Sequence, residues 1–374
     1  MLMNKNKFKI IIIGAGPNGI NAFYKLKLIF PNWEIICLEK GFSLNNLRNY
    51  PDVLWHSDIK QLVLPSKLNT HIKESHQPTS SELVEYYSFF IKEHKILINE
   101  FNDVFSTIKT KDGFLIKAHN NGKEIIYESD YVILSTGFYE NKNILENIQI
   151  NETCTYELKT DYSGKQLALV GGGNSAADFI IHNLKKNKIF WIIKKQTWDS
   201  IYFNIDYKFK EIVEQYKHNL VLYNNTKIQK FDANTIILTD DSKIENIDFT
   251  TILIGYKPYS DLLKKWGIKF INNCIVKNEN NETNIENLFC IGSVASNWNT
   301  IHNRLDQTFV NNGNVDQINK VIHVILEKES ASIFNFKRPS YNDLYPKITT
   351  IEKIKNKIKK YVSKKQFNDS LSSR

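Results

Sequence analysis

The chain has 374 residues, more than one hydrophobic core of roughly 250–300 residues takes, so two domains are expected. Hydrophobic residues make up 42 % and aromatics 12 %, enough for packed interiors, and no run of about 18 uncharged apolar residues is present, which argues against a membrane span. The formal net charge of +9 would suit a nucleic acid, but much of the excess sits in one tail from Lys353 to Lys365, so no nucleic-acid partner is expected.

Phe8 to Ile13 is a continuous apolar run, the pattern of a parallel strand covered on both faces. Gly14-Ala15-Gly16-Pro17-Asn18-Gly19 follows, then a helical pattern through Ile20, Ala22, Phe23, Leu26 and Ile29 that Pro31 stops. Glu34 to Glu39 reads as a second strand, which completes a βαβ unit. Residues 43–80 carry Pro51, Pro65 and Pro78 without periodicity and are expected to be irregular. Ser80 or Ser81 is expected to cap a helix holding Leu83, Tyr86, Tyr87 and Phe90. Between Ile96 and Tyr131, short alternating runs broken by Asp112-Gly113 and Asn121-Gly122 predict hairpins. Tyr131 to Leu134 is a buried strand that runs into Ser135-Thr136-Gly137.

Leu167 to Val170 opens a second unit, followed by Gly171-Gly172-Gly173-Asn174-Ser175-Ala176. A helix through Ala177, Phe179, Ile180 and Leu184 comes next, and then the strand Ile189 to Ile193. Alternating strand continues from Leu220 to Leu238, Thr251 to Ile254 ends in Gly255, and Leu288 to Ile291 ends in Gly292-Ser293. The tail repeats Ile351, Ile354, Ile358 and Val362 at helical spacing among its lysines. It reads as a solvated terminal helix docked by its isoleucine stripe; contact with an anionic surface is the other reading, and the helix could serve a homodimer.

A G-x-G-x-x-G turn between strand and helix binds a dinucleotide for physical reasons. Its first glycine permits the tight turn, the second lets backbone approach the pyrophosphate, and the third lets helix and strand pack closely. The helix N-terminus then attracts the negative charge. Gly14, Gly16 and Gly19 have this context, with Pro17 and Asn18 inside the turn. Glu39, followed by Lys40, closes the second strand 20 residues beyond Gly19, where a carboxylate accepts from ribose hydroxyls. The second copy uses Gly171, Gly173 and Ala176, with Asn174 and Ser175 at the helix start. Its second strand ends in Lys194-Lys195, and a cation there favours a 2′-phosphate. FAD is therefore expected at the first turn and NADPH at the second, with NADH the alternative.

The two turns lie 157 residues apart, and this spacing with the strand-to-glycine junctions resembles flavoproteins with two dinucleotide folds. These include thioredoxin reductases, flavin-containing monooxygenases and bacillithiol-disulfide-reductase-like oxidoreductases. Ser135-Thr136-Gly137 resembles the A-T-G junction from FAD domain to NADPH domain, and Ile254-Gly255-Tyr256-Lys257-Pro258 the return crossing. Leu288 to Gly292 resembles the late strand whose glycine turn closes on the flavin. Phe309-Val310-Asn311-Asn312-Gly313 is similar to the F-I-E-N-G segment of the bacillithiol-reductase-like group. Where that group has a cysteine this chain has Asn18, and where G-D is frequent it has Gly292-Ser293. The resemblance implies an α/β fold of two Rossmann-like domains, the NAD(P)H domain inserted into the FAD domain. Residues 1–160 and 256–345 would form the FAD domain, 161–255 the NAD(P)H domain and 346–374 the basic tail.

Hydride then passes from nicotinamide to flavin, and the question is what re-oxidises the flavin. The cysteines are Cys37, Cys154, Cys274 and Cys290, with no C-x-x-C pair and no spacing that suits a metal, so a dithiol relay and a metal site are not expected. Two routes remain. The preferred one is a monooxygenase that acts on a small molecule with O2 through a flavin C4a-hydroperoxide. The alternative is a reductase that passes electrons to a small-molecule or protein acceptor. The oxygenation reading rests on the aromatic stretch Tyr50 to Asp58, where the resemblance places residues over the flavin and where His56 or Asp58 could manage a proton. Asn297, Trp298, His302 and Arg304 form a second cluster just after Gly292. With no small-residue cleavage site after an apolar segment near its start, the chain is expected to be cytoplasmic.

Overall fold

The computed structural model describes residues 6–55, 77–137, 140–141, 152–195, 203–257, 260–299, 304–305 and 312–333. The chain divides into Met1–Val321, which holds every strand named below, and Ile322–Arg374, whose described part is the helical stretch 322–333. The basic tail, Phe309 to Asn311 and Pro258 lie outside the described residues.

Strand β1 (Lys7–Ile13) contains four successive isoleucines that are at most 5 % exposed. β-Branched side chains suit a strand covered on both faces, and here they exclude water from the sheet centre. Helix α1 (Pro17–Ile29) follows with proline in its first turn, and β2 (Ile35–Leu38) returns parallel to β1, with Ile10 opposite Ile35. A short helix, α2 (Asn45–Asn49), interrupts the stretch expected to be irregular, entered by Leu44 in a left-handed conformation.

Helix α3 (Ser80–Glu93) corrects the expected cap. Thr79 caps it: its hydroxyl accepts the Glu82 N–H at 3.2 Å, while the Glu82 carboxylate accepts the Thr79 N–H at 2.8 Å. Such reciprocal capping is worth about 1 kcal/mol. Ser80 is already helical, and its hydroxyl accepts the Trp55 indole N–H at 3.1 Å.

Strand β3 (Ile98–Asn99) extends the sheet beyond β2. A meander of β4 (Asp103–Thr110), β5 (Gly113–Asn120) and β6 (Lys123–Leu134) follows, with turns at the expected Asp112-Gly113 and Asn121-Gly122. Asn121 and Gly122 both have positive φ, as a two-residue hairpin turn requires. The first half of β6 pairs antiparallel with β5, and its second half pairs parallel with β1.

The chain then leaves through β7 (Glu140–Asn141) and β8 (Cys154–Thr155). A second parallel sheet is built from β9 (Gln166–Val170), β10 (Lys188–Ile192), β11 (Leu220–Tyr223) and β15 (Phe249–Ile252), with β8 at one edge. Helices α4 (Asn174–Asn183) and α5 (Phe203–Gln215) cover one face, where Phe179, Ile180 and Phe209 meet Leu167, Leu169 and Trp191. Strands β12 (Ile228–Asp232), β13 (Thr235–Leu238) and β14 (Lys243–Ile244) form an antiparallel sheet over the other face, with Ile236 and Leu238 against Ala168 and Ile192.

Strand β16 (Tyr256–Lys257) leads back and pairs antiparallel with β7, so the outward and return crossings form one ribbon. Helix α6 (Ser260–Lys265), the hairpin of β17 (Phe270–Ile271) and β18 (Cys274–Ile275), and β19 (Leu288–Cys290) follow. Strand β19 pairs parallel with β6, as the seventh strand of the first sheet. After the hairpin of β20 (Trp298–Asn299) and β21 (Arg304–Leu305) comes helix α7 (Asn312–Ile333). Two Rossmann-like units are therefore present, the second inserted into the first.

Candidate dinucleotide-binding sites

Both glycine turns have the same construction. Gly14 has φ +105°, and a Cβ there would lie 2.5 Å from the Ser135 carbonyl oxygen. Gly171 has φ +129°, and a Cβ there would lie 2.1 Å from the Leu253 carbonyl oxygen. In each unit the first glycine lets the turn press against the strand that leads to the crossing. The third position seals helix to strand: a Cβ on Gly19 would meet the Gly14 carbonyl oxygen at 2.1 Å, whereas Ala176 fits with no exposure.

The middle glycines differ from these. A Cβ on Gly16 or on Gly173 would find no heavy atom within 4 Å. Each is the N-cap of its helix, neither gives a side-chain cap, and neither helix has an acid in its first turn. Helix-start N–H groups thus face open space that suits an anion. Asn174 and Ser175, half-buried, begin α4 beside Gly173.

Glu39 is 8 % exposed. One carboxylate oxygen accepts the Ala15 N–H at 2.7 Å and the other the Gly41 N–H at 3.2 Å. Burial pushes this carboxyl up from its ordinary value, and the charge of Glu100 adds to that, while N–H bonds from Ala15, Gly41 and Lys40 hold it down. Each oxygen keeps a lone pair for a ribose hydroxyl. Lys40 instead points outward, with its ammonium 3.2 Å from Asp103.

Gly292 and Asn18 come together. Gly292 has φ +72°, and a Cβ there would lie 2.8 Å from Asn18 Nδ2, so the late turn closes directly on the first glycine turn. Ser293 follows at 7 % exposure in a 3-10 turn. Thr136 and Gly137 lie at the end of β6, and Gly255 after β15; both glycines have positive φ where the chain turns into the ribbon. Lys194 and Lys195 are exposed at the end of β10. Asn297 is exposed, and its side-chain carbonyl accepts the Lys277 ammonium rather than meeting the first turn. His56, Asp58 and His302 lie outside the described residues. Of the aromatic stretch, Tyr50 packs against the core of the second unit and Trp55 is tied to Ser80.

Four residues escaped the sequence reading. Gln317 on α7 accepts the Gly292 N–H at 2.7 Å and fixes the late turn, and nearby Asn319 accepts the Lys25 ammonium of α1 at 2.9 Å. Trp191, 1 % exposed, donates its indole N–H to the Gly171 carbonyl at 2.6 Å and fixes the second turn. Asp178 is buried on α4, and burial pushes its carboxyl up to about 7 against the pull of Lys208. A Trp amid Ile189 and Phe190, and an Asp on the buried face of a helix, were visible signals; Gln317 had none.

The thiols complete the chemistry. All four cysteines are free, and Cys37 and Cys290 have no exposure. Burial pushes Cys290 up to about 12 and Cys37 higher still, so neither supplies a thiolate near neutral pH.

Residues 11–292 match the family described as pyridine nucleotide-disulphide oxidoreductase. The chain belongs to that family. Membership makes it an oxidoreductase that works with a flavin and a pyridine nucleotide. Among curated relatives, an uncharacterized oxidoreductase CzcO of Bacillus subtilis is 26 % identical over 200 residues, a match spanning 50 % of this chain and 54 % of that one. A ferredoxin–NADP reductase of Rickettsia typhi is 25 % identical over 302 residues, spanning 76 % of this oxidoreductase and 85 % of the relative. Among solved structures, the bacillithiol disulfide reductase Bdr (YpdA) of Bacillus cereus superimposes with a TM-score of 0.76 at 22 % identity, covering 86 % of this chain and 99 % of that one. No described helix of the oxidoreductase is long and apolar enough to cross a membrane. The open cradles at Gly16 and Gly173 fit the two dinucleotides that the family uses.

Proposed function

We propose that this chain is an NADPH-dependent FAD oxidoreductase that hands electrons to an external acceptor without a protein dithiol. The observation that carries this reading is the pair of open cradles at bare helix starts in a chain whose cysteines include two deeply buried thiols. A bound flavin would supply the hydride acceptor for the nicotinamide and the electron donor for the external acceptor. The chain's own residues bind and orient. Gly14 to Gly19 and the start of α1 would hold the FAD pyrophosphate, Glu39 its ribose, and Gly292 with Asn18 would close the site. Gly171 to Ala176 would hold NADPH, and Trp191 keeps that turn rigid. The match to a ferredoxin–NADP reductase across most of both chains supports an acceptor of the electron-carrier kind. Oxygenation of a small molecule is the second outcome of the same experiment; its sequence argument rests on the aromatic stretch Tyr50 to Asp58, of which His56 and Asp58 lie outside the described residues.

The purified protein is expected to be yellow and to lose its flavin colour on addition of NADPH under nitrogen. Re-oxidation should then be fast with a one-electron iron–sulfur carrier and slow with O2. Fast re-oxidation by O2 together with a small molecule would favour oxygenation, and a colourless protein that takes up no FAD would sink both.

The lysines at the end of β10 give a second test. A charge-assisted bond to a 2′-phosphate contributes about 1.5 kcal/mol or more. Replacing Lys194 and Lys195 together by alanine should raise the KM for NADPH about tenfold or more and change that for NADH less than about twofold. Equal effects on both nucleotides would refute the 2′-phosphate role.

A further inference from the structure

The two glycine turns hold the corresponding peptide from opposite sides. At the first turn the Gly14–Ala15 peptide is held by its N–H, which donates to Glu39 Oε2 at 2.7 Å. Main-chain bonds set the correspondence between the units: the Gly14 N–H donates to the Leu38 carbonyl at 2.8 Å, and the Gly171 N–H to the Ile192 carbonyl at 3.1 Å. The next residue is Glu39 in one unit and Ile193, 2 % exposed, in the other. An isoleucine side chain accepts no hydrogen bond. The Gly171–Gly172 peptide is held by its carbonyl instead, to which the Trp191 indole N–H donates at 2.6 Å. A trans peptide points its C=O and its N–H in opposite directions, so fixing the carbonyl also aims the Gly172 N–H.

The third position of each turn agrees with this difference. The Gly14 carbonyl oxygen lies where a Cβ on Gly19 would collide with it. Ala176 brings a methyl to that place in the second turn, so the Gly171 carbonyl cannot lie as the Gly14 carbonyl does, and Trp191 takes it. Three glycines in succession also leave this turn more backbone freedom than Gly14-Ala15-Gly16, freedom that an anion would have to remove on binding. Trp191 is itself fixed, beside Leu169 in the sheet and edge to face with Phe209 of α5 at 5.7 Å between centroids.

We propose that Trp191 is the positioning residue of the second cradle, an uncharged clamp that does for the Gly171–Gly172 peptide what a carboxylate does at the first turn. The inference rests on the nicotinamide-nucleotide assignment above. A clamp without charge orders the turn for a pyrophosphate and sets no anion beside a 2′-phosphate, so the phosphorylated nucleotide is admitted. Trp191 acts on the pyrophosphate turn, which NADPH and NADH share.

The FAD-loaded full-length protein is titrated calorimetrically with NADP+ and NAD+, whose oxidised rings leave the flavin unreduced. Trp191→Phe removes the donor and should raise both Kd values about fivefold or more, the worth of one neutral hydrogen bond. The affinity of the flavin-freed protein for FAD should change less than about twofold. Trp191→benzothienylalanine puts sulfur in place of the N–H in a ring of similar size, so it keeps the packing and should show the same loss. Gly172→Ala should recover much of that loss in the Trp191→Phe protein. Its Cβ would meet Ile193 at 3.5 Å, an ordinary contact, and alanine restricts the backbone that the indole no longer holds. The proposal is overturned if both Trp191 variants bind NADP+ as wild type does, if only one of the two nucleotides weakens, or if Gly172→Ala recovers nothing. Failure of wild type to bind either nucleotide is a different result, and it removes the assignment of the second turn itself.

Discussion

Gly16→Val is expected to leave the apoprotein folded and to weaken FAD binding about 100-fold or more. No heavy atom lies within 4 Å of the Cβ position at Gly16, and its φ of −77° is open to any L residue. The valine methyls would enter only the open space at the start of α1, where the pyrophosphate must approach the backbone. A hundredfold loss corresponds to about 2.7 kcal/mol, the scale of a few charge-assisted bonds. Gly14→Ala is the control. Its Cβ would lie 2.5 Å from a main-chain oxygen at φ +105°, so the fold itself should lose about 3 kcal/mol or more. Melting of the two apoproteins, followed by FAD titration of whichever folds, checks the pair. If Gly16→Val melts as low as Gly14→Ala, or binds FAD normally, the cradle is not the pyrophosphate site.

The contrast between these glycines also shows what the chain discloses before folding. Strand, small residues and helix start are local, so Ile10 to Gly19 and Leu167 to Ala176 announce both turns, and alternation with Asn-Gly announces the meander. The insertion was legible because Ser135-Thr136-Gly137 and Ile254-Gly255 punctuate the two crossings. The α3 cap was misplaced by one or two residues because three hydroxyl residues stand in a row, and the reciprocal bond to Glu82 selects Thr79. Gln317 was out of reach, since its bond to Gly292 joins positions far apart in sequence.

Asp178→Asn should make the protein more stable at pH 8 and no different near pH 4. In the fold, burial raises this carboxyl to about 7 from 3.8, with the nearby Lys208 charge opposing. A raised acid binds its proton more tightly folded than unfolded. Its favourable contribution is therefore full below the unfolded value and fades as pH rises, until at pH 8 the fold must hold an ion away from water. The difference is on the order of 2–4 kcal/mol, about 5 °C or more in Tm for a chain of this size. Asparagine keeps the shape without the ionisation. The expected result is a wild-type Tm that falls between pH 5 and 8 relative to the variant, checked by thermal melts in matched buffers. Parallel curves would mean that Asp178 does not titrate in this range. Lys208→Met should steepen the wild-type fall by removing the charge that opposes the rise.

The ribbon of β7 and β16 bears on how the chain assembles. Leu288 pairs with Val132 across a long stretch of chain, and an open loop of that size would bring its ends together slowly. Because Asn141 lies opposite Tyr256, the intervening stretch is tied off at its neck. Once the inserted unit has closed, the entropy left to lose is that of two short tethers. During synthesis the edge of β6 must stay unpaired until the ribosome has delivered β19, so this edge is where a nascent chain would be caught by a neighbour.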